Sequence, residues 1–523
     1  MNMKPTIFAL LALLLAFGCS NKEQQPNFLI VFTDDQRLNT LGCYSDDCPI
    51  QTPNLDRLAA EGVKFSHGFV TTPICVCSRA CVLTGRYITN SRVHQFVTPM
   101  ERGVFEHIYP QYLKEAGYFT GQLGKYGVGI TEEQEQSFDV YEGTAYQGPA
   151  FRKYKGRTMH DTEWLTVKAE EFLEQVPEGK PFCLQLNYKE PHPSSRPAPE
   201  DDHLLDAYTF TRSPMDTDEA AEKVPEFVRA DMGNYKQGTG FGTEAGFNNH
   251  MRQYFEKIVS VDRSVGQLQD MLKEKGLADN TVIIFLSDHG THHGERHFIW
   301  KWRPYEESLR IPFIIYDPRE NAQKGTVMDE LVLNIDIAPT LLDMAGIKIP
   351  EVMDGMSMKD LINGKSNAWR DHFFFEHYCS PCMVPSYIAR NVGVRFTDSK
   401  YIRWIEVEAD PDKTIEEFYD LSKDPMEANN LIQDPAYVEE IEIARSTFDR
   451  WREENPSTFR FDFLGSRAQF GSPDVDWVQF REAKPAEYAR IKSEVERLGV
   501  SWETAVNDWE TRLEICSNAV YWY

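Results

Sequence analysis

The sequence predicts an α/β fold: a large, mostly parallel sheet sandwiched by helices, with a smaller C-terminal antiparallel-sheet subdomain. Three observations lead there. Apolar runs of strand length alternate with amphipathic runs of helix length between residues 26 and 316, the pattern that builds a parallel sheet with both faces covered. The first run, residues 26–33 (PNFLIVFT), is apolar without interruption, as a strand buried on both faces must be. From about Asp371 the rhythm changes to short strands separated by polar turns, which suits a small antiparallel sheet.

In order, residues 26–33 form a strand that ends in Asp34-Asp35, and residues 53–60 a helix with Pro53 in its first turn. A helix over 108–116 precedes a strand over 118–123, and an amphipathic helix over 162–174 precedes a strand over 182–188. Residues 193–249 are irregular, rich in Pro, Gly and charge, and too long for a plain connector. A long helix over 251–277 follows, with apolar positions at Tyr254, Ile258, Val261, Val265, Leu268 and Leu272. A strand over 281–286 feeds Ser287-Asp288-His289-Gly290, and another covers 311–316. Short strands are expected at 392–396, 401–405 and 417–421, then a charged, helical stretch over 432–523. The domain plan is a leader over 1–18, a catalytic unit over 26–370, and a C-terminal subdomain with a helical extension over 371–523. Ligands on such sheets bind beyond the carboxyl ends of the strands. Asp34-Asp35 and Asp288-His289 both fall there.

Composition narrows the function classes. Of 523 residues, 41% are hydrophobic, enough for a sizeable core. There are 55 Lys+Arg against 81 Asp+Glu, a net charge of −26. That balance argues against nucleic-acid binding, which needs clustered cations to neutralise phosphates. The chain starts with Lys4, an apolar run over 7–18 and Cys19. This is a secretory leader, too short for the roughly 20 residues that span a bilayer. Gly18 before Cys19 resembles a bacterial lipobox. Cys19 is then the lipidated first residue of a bacterial lipoprotein in the periplasm or on the outer membrane or cell surface, touching the membrane only through its anchor. Among the ten cysteines, Cys43 with Cys48 and Cys379 with Cys382 are spaced for short-range disulfides or for free thiols.

The densest chemistry lies between Pro73 and Arg86. Cys75, Cys77 and Cys81 suggest zinc, yet zinc sites pair C-x2-C groups or add His at set spacing. Residues 78–83 suit a helix. Cys75 then sits at its N-terminus, one turn before Arg79 and on the same face. The helix dipole and Arg79 both favour an anion beside Cys75.

With these residues in view, the chain resembles the sulfatase family of the alkaline-phosphatase-like superfamily. The family signature is Cys or Ser, any residue, a small residue, Ser, Arg, then Thr-Gly-Arg. Cys75, Cys77, Ser78, Arg79, Thr84, Gly85 and Arg86 match it in order. The resemblance covers about residues 26–430, including Thr52-Pro53-Asn54-Leu55-Asp56, Gly124-Lys125, Pro191-His192, residues 288–301, Tyr305-Glu306-Glu307-Ser308 and Tyr419-Asp420-Leu421. It implies that a formylglycine-generating maturation enzyme converts Cys75 to formylglycine, the nucleophile. It implies that Asp34, Asp35, Asp288 and His289, with residue 75, hold one Ca2+. Arg79 then holds the aldehyde hydrate, Lys125 and Lys301 clamp the sulfate, and His192 or Lys301 protonates the leaving oxygen of a sulfated carbohydrate. In relatives the C-terminal region leans over the pocket, which makes His377, Arg390 and Arg395 candidates for substrate contact.

Two departures stand out. Gly127 occupies a position where the family usually has His, and Gly294-Glu295-Arg296-His297 replaces Gly-Glu-His-Gly. His292, His293 or His297 are candidates to substitute, and His293 and His297 also for substrate contact, with structural roles as the alternative. The implied function is an exported sulfatase acting on sulfated glycans. Its rivals are a phosphatase or phosphonate monoester hydrolase of the same superfamily, an inactive glycan-binding lipoprotein, and a structural zinc protein using the three cysteines.

Overall fold

Uninterrupted apolarity places the first strand at the centre of the molecule. The computed structural model describes residues 25–456 apart from 94–98, 230–232, 238–239, 320, 366–367, 379–387 and 406–413; beyond 456 it describes only Lys492 and Glu496. The leader, Cys19, the Cys379–Cys382 pair and most of the C-terminal extension lie outside the described residues.

In chain order the main elements are β1 (Asn27–Asp34), α1 (Pro53–Glu61), β2 (Val63–Phe65), α2 (Cys75–Thr84), α3 (Tyr109–Glu115), β3 (Phe119–Lys125), β4 (Val140–Thr144), α4 (Asp161–Gln175), β5 (Phe182–Pro191), α5 (Glu244–Glu274), β6 (Thr281–Ser287), β7 (Phe313–Tyr316) and β8 (Thr326–Met328). The large sheet has 8 strands in the order β8-β2-β7-β6-β1-β5-β3-β4. β1 pairs in parallel with β5 and β6. β7 runs antiparallel to both neighbours, so the sheet is mostly parallel. The second sheet, β9 (His372–His377), β10 (Arg390–Phe396), β11 (Ser399–Ile405) and β12 (Thr414–Asp420), is an antiparallel meander. Helix α6 (Val438–Glu454) packs on it.

The period of 2 along β1 divides its side chains between two cores. Phe28, Ile30 and Phe32 join α2 and α3 on one face. Leu29 and Val31 join α4 and α5 on the other. The apolar stripe expected on the long helix, Tyr254 to Leu272, lies in this second core.

The helix starts at Glu244, not at residue 251. The Thr243 hydroxyl accepts the Gly246 N–H at 3.0 Å, an N-cap that satisfies one exposed donor. It ends at Glu274, because Gly276 turns left-handed with φ +69°. Strand 118–123 extends to Lys125 as β3. The strand at 372–377 was not expected. Cys43 and Cys48, a candidate disulfide pair, are free thiols; their turn is held instead by Asp56, which accepts the Cys43 N–H at 2.7 Å.

Register brings the strand ends together. Thr33 lies opposite Ser287, so Asp288 follows directly beside Asp34. On the other side the ladder shifts between Phe32 and Asp34, which sets Asp34 opposite Pro191 and carries His192 past the strand end. Such a shift re-aims the side chains that follow it. β3 supplies Lys125 because Gly124, at φ +85°, lets the strand lie close against β5: a Cβ there would stand 2.1 Å from the Asn187 carbonyl oxygen. Gly124→Ala is therefore expected to cost more than about 3 kcal/mol in urea unfolding, combining strain and forced strand separation. A cost below about 1 kcal/mol would show that the strand relaxes freely.

Candidate active site

Three carboxylates meet where β1 and β6 end. Asp34 and Asp288 are fully buried and Asp35 is 1% exposed. Asp35 takes a left-handed turn, φ +65°, which Asp tolerates better than most residues. The Asp35 N–H donates to Asp288 Oδ1 at 3.1 Å, and its carbonyl accepts the Tyr254 hydroxyl at 2.8 Å. One ligand atom from each of Asp34, Asp35, Asp288 and His289 falls in a set whose members all lie within 4.8 Å of one another.

This cluster suits a divalent cation. Asp34 Oδ1, Asp35 Oδ2 and His289 Nε2 are buried without a hydrogen-bond partner, a costly state unless something positive faces them. His289 Nδ1 lies 2.9 Å from the Gly290 carbonyl oxygen, so that nitrogen carries the proton. Its Nε2 then presents a bare lone pair 3.4 Å from Asp288 Oδ1. Burial and the nearby Lys301 charge draw His289 down to about 3, which keeps the ring neutral, as a ligand must be. Carboxylate-rich donor sets favour hard ions.

Cationic side chains enclose the cluster. Arg79, one turn into α2, places Nε 2.9 Å from Asp288 Oδ2 and donates to the Lys125 carbonyl. Its guanidinium lies 4.7 Å over the Phe32 ring. Lys125 pairs with Asp34. Lys301 Nζ lies 2.8 Å from Asp35 Oδ1, and His192 Nε2 is 3.7 Å from Asp35 Oδ2. Burial alone would raise Asp34, but Lys125, His192, Lys301 and Arg79 outweigh it and hold the carboxyl low. Burial likewise works against the Lys301 ammonium, yet Asp35, Cys75, Asp34 and Asp288 keep it above the usual lysine range. Burial, Lys301 and Lys125 push His192 well below an ordinary histidine. Cys75 begins α2 and is 1% exposed; burial raises its thiol, against Lys125 and Lys301.

Comparisons with known proteins fit this geometry. The sulfatase family model matches residues 26–347, well over half the chain. The chain belongs to the sulfatase family. It is thus a sulfuric ester hydrolase by family, and a model described as N-sulphoglucosamine sulphohydrolase, C-terminal, matches residues 294–454. The sulfatase is 27% identical to an N-acetylglucosamine-6-O-sulfatase of Bacteroides thetaiotaomicron, across 87% of this chain and 92% of that protein. A solved structure in complex with its substrate D-glucosamine-2-N,6-O-disulfate superposes with TM-score 0.71 at 24% identity, covering 84% of this chain and 99% of that one. A phosphonate monoester hydrolase from Silicibacter pomeroyi does so with TM-score 0.68 at 24% identity, covering 83% and 96%. The likeness of these two structures lies in the fold.

Gly127, the position that departs from the family, lies under Arg79. Its φ is +78°, and a Cβ would stand 2.5 Å from Arg79 Cδ. In this sulfatase the arginine stem fills the space a larger residue would take. The three nearby histidines are placed elsewhere. His292 lies between the rings of Phe298 and Tyr305. His293 packs on Tyr254 and His250. His297 faces Asp218 at 3.2 Å and the Tyr235 ring. None belongs to the Asp34 cluster. Arg395 is tied to Glu306 at 3.4 Å and lies over Phe69, which joins the small sheet to the segments that carry those residues. His377 and Arg390 are buried at the other end of that sheet, where Asn391 donates to the Trp302 carbonyl at 3.0 Å, next to Lys301.

Sequence reasoning missed Gln147, whose Nε2 donates to Asp34 Oδ2 at 2.9 Å, and Asn187, whose Oδ1 lies 3.3 Å from Arg79 Nη1. Gln147 sits in a Gly-Pro loop that carries no local signal. Tyr254 was legible only as part of the apolar stripe on the long helix.

Cation binding should depend on pH in a defined direction. Burial and the Asp34 charge raise Asp288 to about 6, and burial raises Asp35 as well. Between the unfolded carboxyl range near pH 4 and about pH 6, the cation-free folded protein holds protons that the unfolded chain has released, so its stability falls as pH rises. A cation displaces those protons, so its affinity increases over the same window. Calorimetric titration of chelator-treated protein should show divalent-cation affinity rising at least about tenfold from about pH 5 to about pH 7. A flat profile would show that these carboxyls do not share protons in the free site.

Proposed function

We propose that this chain is an exported, formylglycine-dependent sulfatase that removes O-sulfate from carbohydrate, with Ca2+ in the Asp34, Asp35, Asp288 and His289 cluster. The observation that carries the reading is the meeting of Cys75, Arg79, Lys125, His192 and Lys301 around that cluster. The Cys75 thiol, raised by burial, is protonated near neutrality and a poor nucleophile as it stands. A hydrated aldehyde at residue 75 would supply one hydroxyl for attack on sulfur and a second to expel sulfate, splitting one hard displacement into two steps. The cation, when bound, supplies positive charge for the ester oxygens and acidifies the nucleophile.

The chain's own residues do the rest. Arg79, anchored on Asp288 and on the Lys125 carbonyl, directs its guanidinium to the hydrate. Lys125 and Lys301, brought to opposite carboxylates, clamp the sulfate oxygens. Lys301 and His192 straddle the two oxygens of Asp35, the place from which a proton reaches the leaving oxygen. Burial first, then Lys301 and Lys125, depresses His192; an entering anionic ester acts against the two cations and favours the protonated ring. Amino-sugar 6-O-sulfates are the first substrates to test, because a relative carries that activity in its name. The leader and Cys19 support export and a lipid anchor, with the enzyme held at the periplasmic or outer-membrane surface of a bacterial cell. Among the described residues no helix is long and apolar enough to cross a membrane.

Enzyme co-produced with a maturation enzyme should hydrolyse nitrophenyl sulfate faster than nitrophenyl phosphate and release sulfate from N-acetylglucosamine 6-sulfate. Faster phosphate turnover would reverse the choice of ester. Cys75→Ala should lower sulfate release at least about 1,000-fold, and mass spectrometry of the wild-type peptide should show aldehyde at residue 75. A fully active enzyme with an intact thiol there would defeat the reading. In the native type of host, Cys19→Ser should move the protein from the membrane fraction to the soluble one; unchanged fractionation would remove the lipid anchor.

A further inference from the structure

Lys257 lies midway along α5 and is 2% exposed. Phe255, Ile258 and Val261 around it face the core. An ammonium in such a place opposes folding unless a partner offsets its desolvation. Its Nζ donates to the backbone carbonyl of His192 at 2.9 Å. That carbonyl also accepts the Ser195 N–H at 3.0 Å, and the His192 N–H donates to the Lys189 carbonyl at 2.9 Å. The Ser194 N–H donates to Nδ1 at 3.2 Å and the Ser194 hydroxyl lies 2.9 Å from the same nitrogen, so Nδ1 is an acceptor and the ring carries its proton on Nε2. With Nδ1 held on that side, Nε2 faces Asp35. Burial draws Lys257 down to about 8, while Glu190, Asp35 and Asp34 act to raise it.

We propose that Lys257 is a positioning residue for His192: its grip on the carbonyl of the residue carrying the imidazole sets Nε2 at the oxygen that leaves the sulfate ester. This rests on the reading of His192 as proton donor. In that step the bond from sulfur to the sugar oxygen breaks and its electron pair stays on the oxygen. The proton on His192 Nε2 moves to that oxygen, and the N–H electron pair stays on the ring nitrogen. A sugar alkoxide needs this proton. A nitrophenolate, already stable as an anion, scarcely does.

The test is the dependence of rate on the leaving group, measured with a series of aryl sulfates and N-acetylglucosamine 6-sulfate on matured enzyme. Lys257→Met keeps the length of the side chain and removes the ammonium. It should lower kcat on the sugar sulfate about 30-fold or more while nitrophenyl sulfate falls several-fold less, so the plot of log rate against leaving-group pKa steepens. Lys257→Gln, which retains a donor, should lie between Met and wild type, and it carries the test if the Met variant is too unstable. Rates are taken per folded protein, judged by thermal melting. His192→Ala should show the same steepening, more strongly. If His192→Ala steepens the plot while both Lys257 variants lower all substrates equally, or none, Lys257 has only a structural role and the proposal fails. If His192→Ala leaves the slope unchanged, the reading of His192 fails first and takes the proposal with it.

Discussion

Three buried carboxylates, each with an oxygen within 4.8 Å of the others, are the constraint around which this sulfatase is arranged. Their mutual repulsion and their desolvation both oppose folding. The described residues answer with Arg79, Lys125 and Lys301, each drawn from a different element and each paired with a different carboxylate. Even so, an oxygen on Asp34, one on Asp35 and the free nitrogen of His289 remain unsatisfied. The surrounding protein compensates incompletely, and that shortfall is what a cation fits. In the proposed reaction the same cations would also receive the anionic ester, so that stability and substrate binding would draw on one set of charges.

The fold supplies the precision. A parallel pair on each side of β1 brings Asp288 and His192 to the end of the strand that bears Asp34. A left-handed turn at Asp35 then closes the cluster. The small sheet secures the Lys301 segment from outside. Lys400 donates to the Pro304 carbonyl at 3.0 Å and pairs with Glu306 and Glu427 at 2.8 and 2.7 Å, and Asn391 holds the Trp302 carbonyl. The C-terminal meander therefore braces the Lys301 segment through side chains that hold the backbone of residues 302 and 304.

Gly127 shows how one local choice reorganises neighbours. With no side chain at that position, Arg79 lies across the glycine and over Phe32, between Asp288 and the β3 carbonyl of Lys125. The imidazole usual there in the family and this packing of Arg79 exclude each other sterically. The nearby histidines lie outside the Asp34 cluster, beside aromatic and acidic neighbours.

The sequence by itself determined the sheet, the amphipathic stripe of the long helix and the identity of the acidic and cationic residues at the strand ends. Those depend on local patterns: unbroken apolarity, helical periodicity, and a signature compact enough to read in one stretch from Cys75 to Arg86. Tertiary structure alone decided how they meet. Gln147, Asn187 and Lys257 come from a loop, a strand interior and a helix face, and nothing in their own surroundings marks them. Arg395 was legible as a charge near a pocket, yet its partner Glu306 lies 89 residues away in sequence. Contacts of that kind are set by register and packing between distant segments, which no local pattern records.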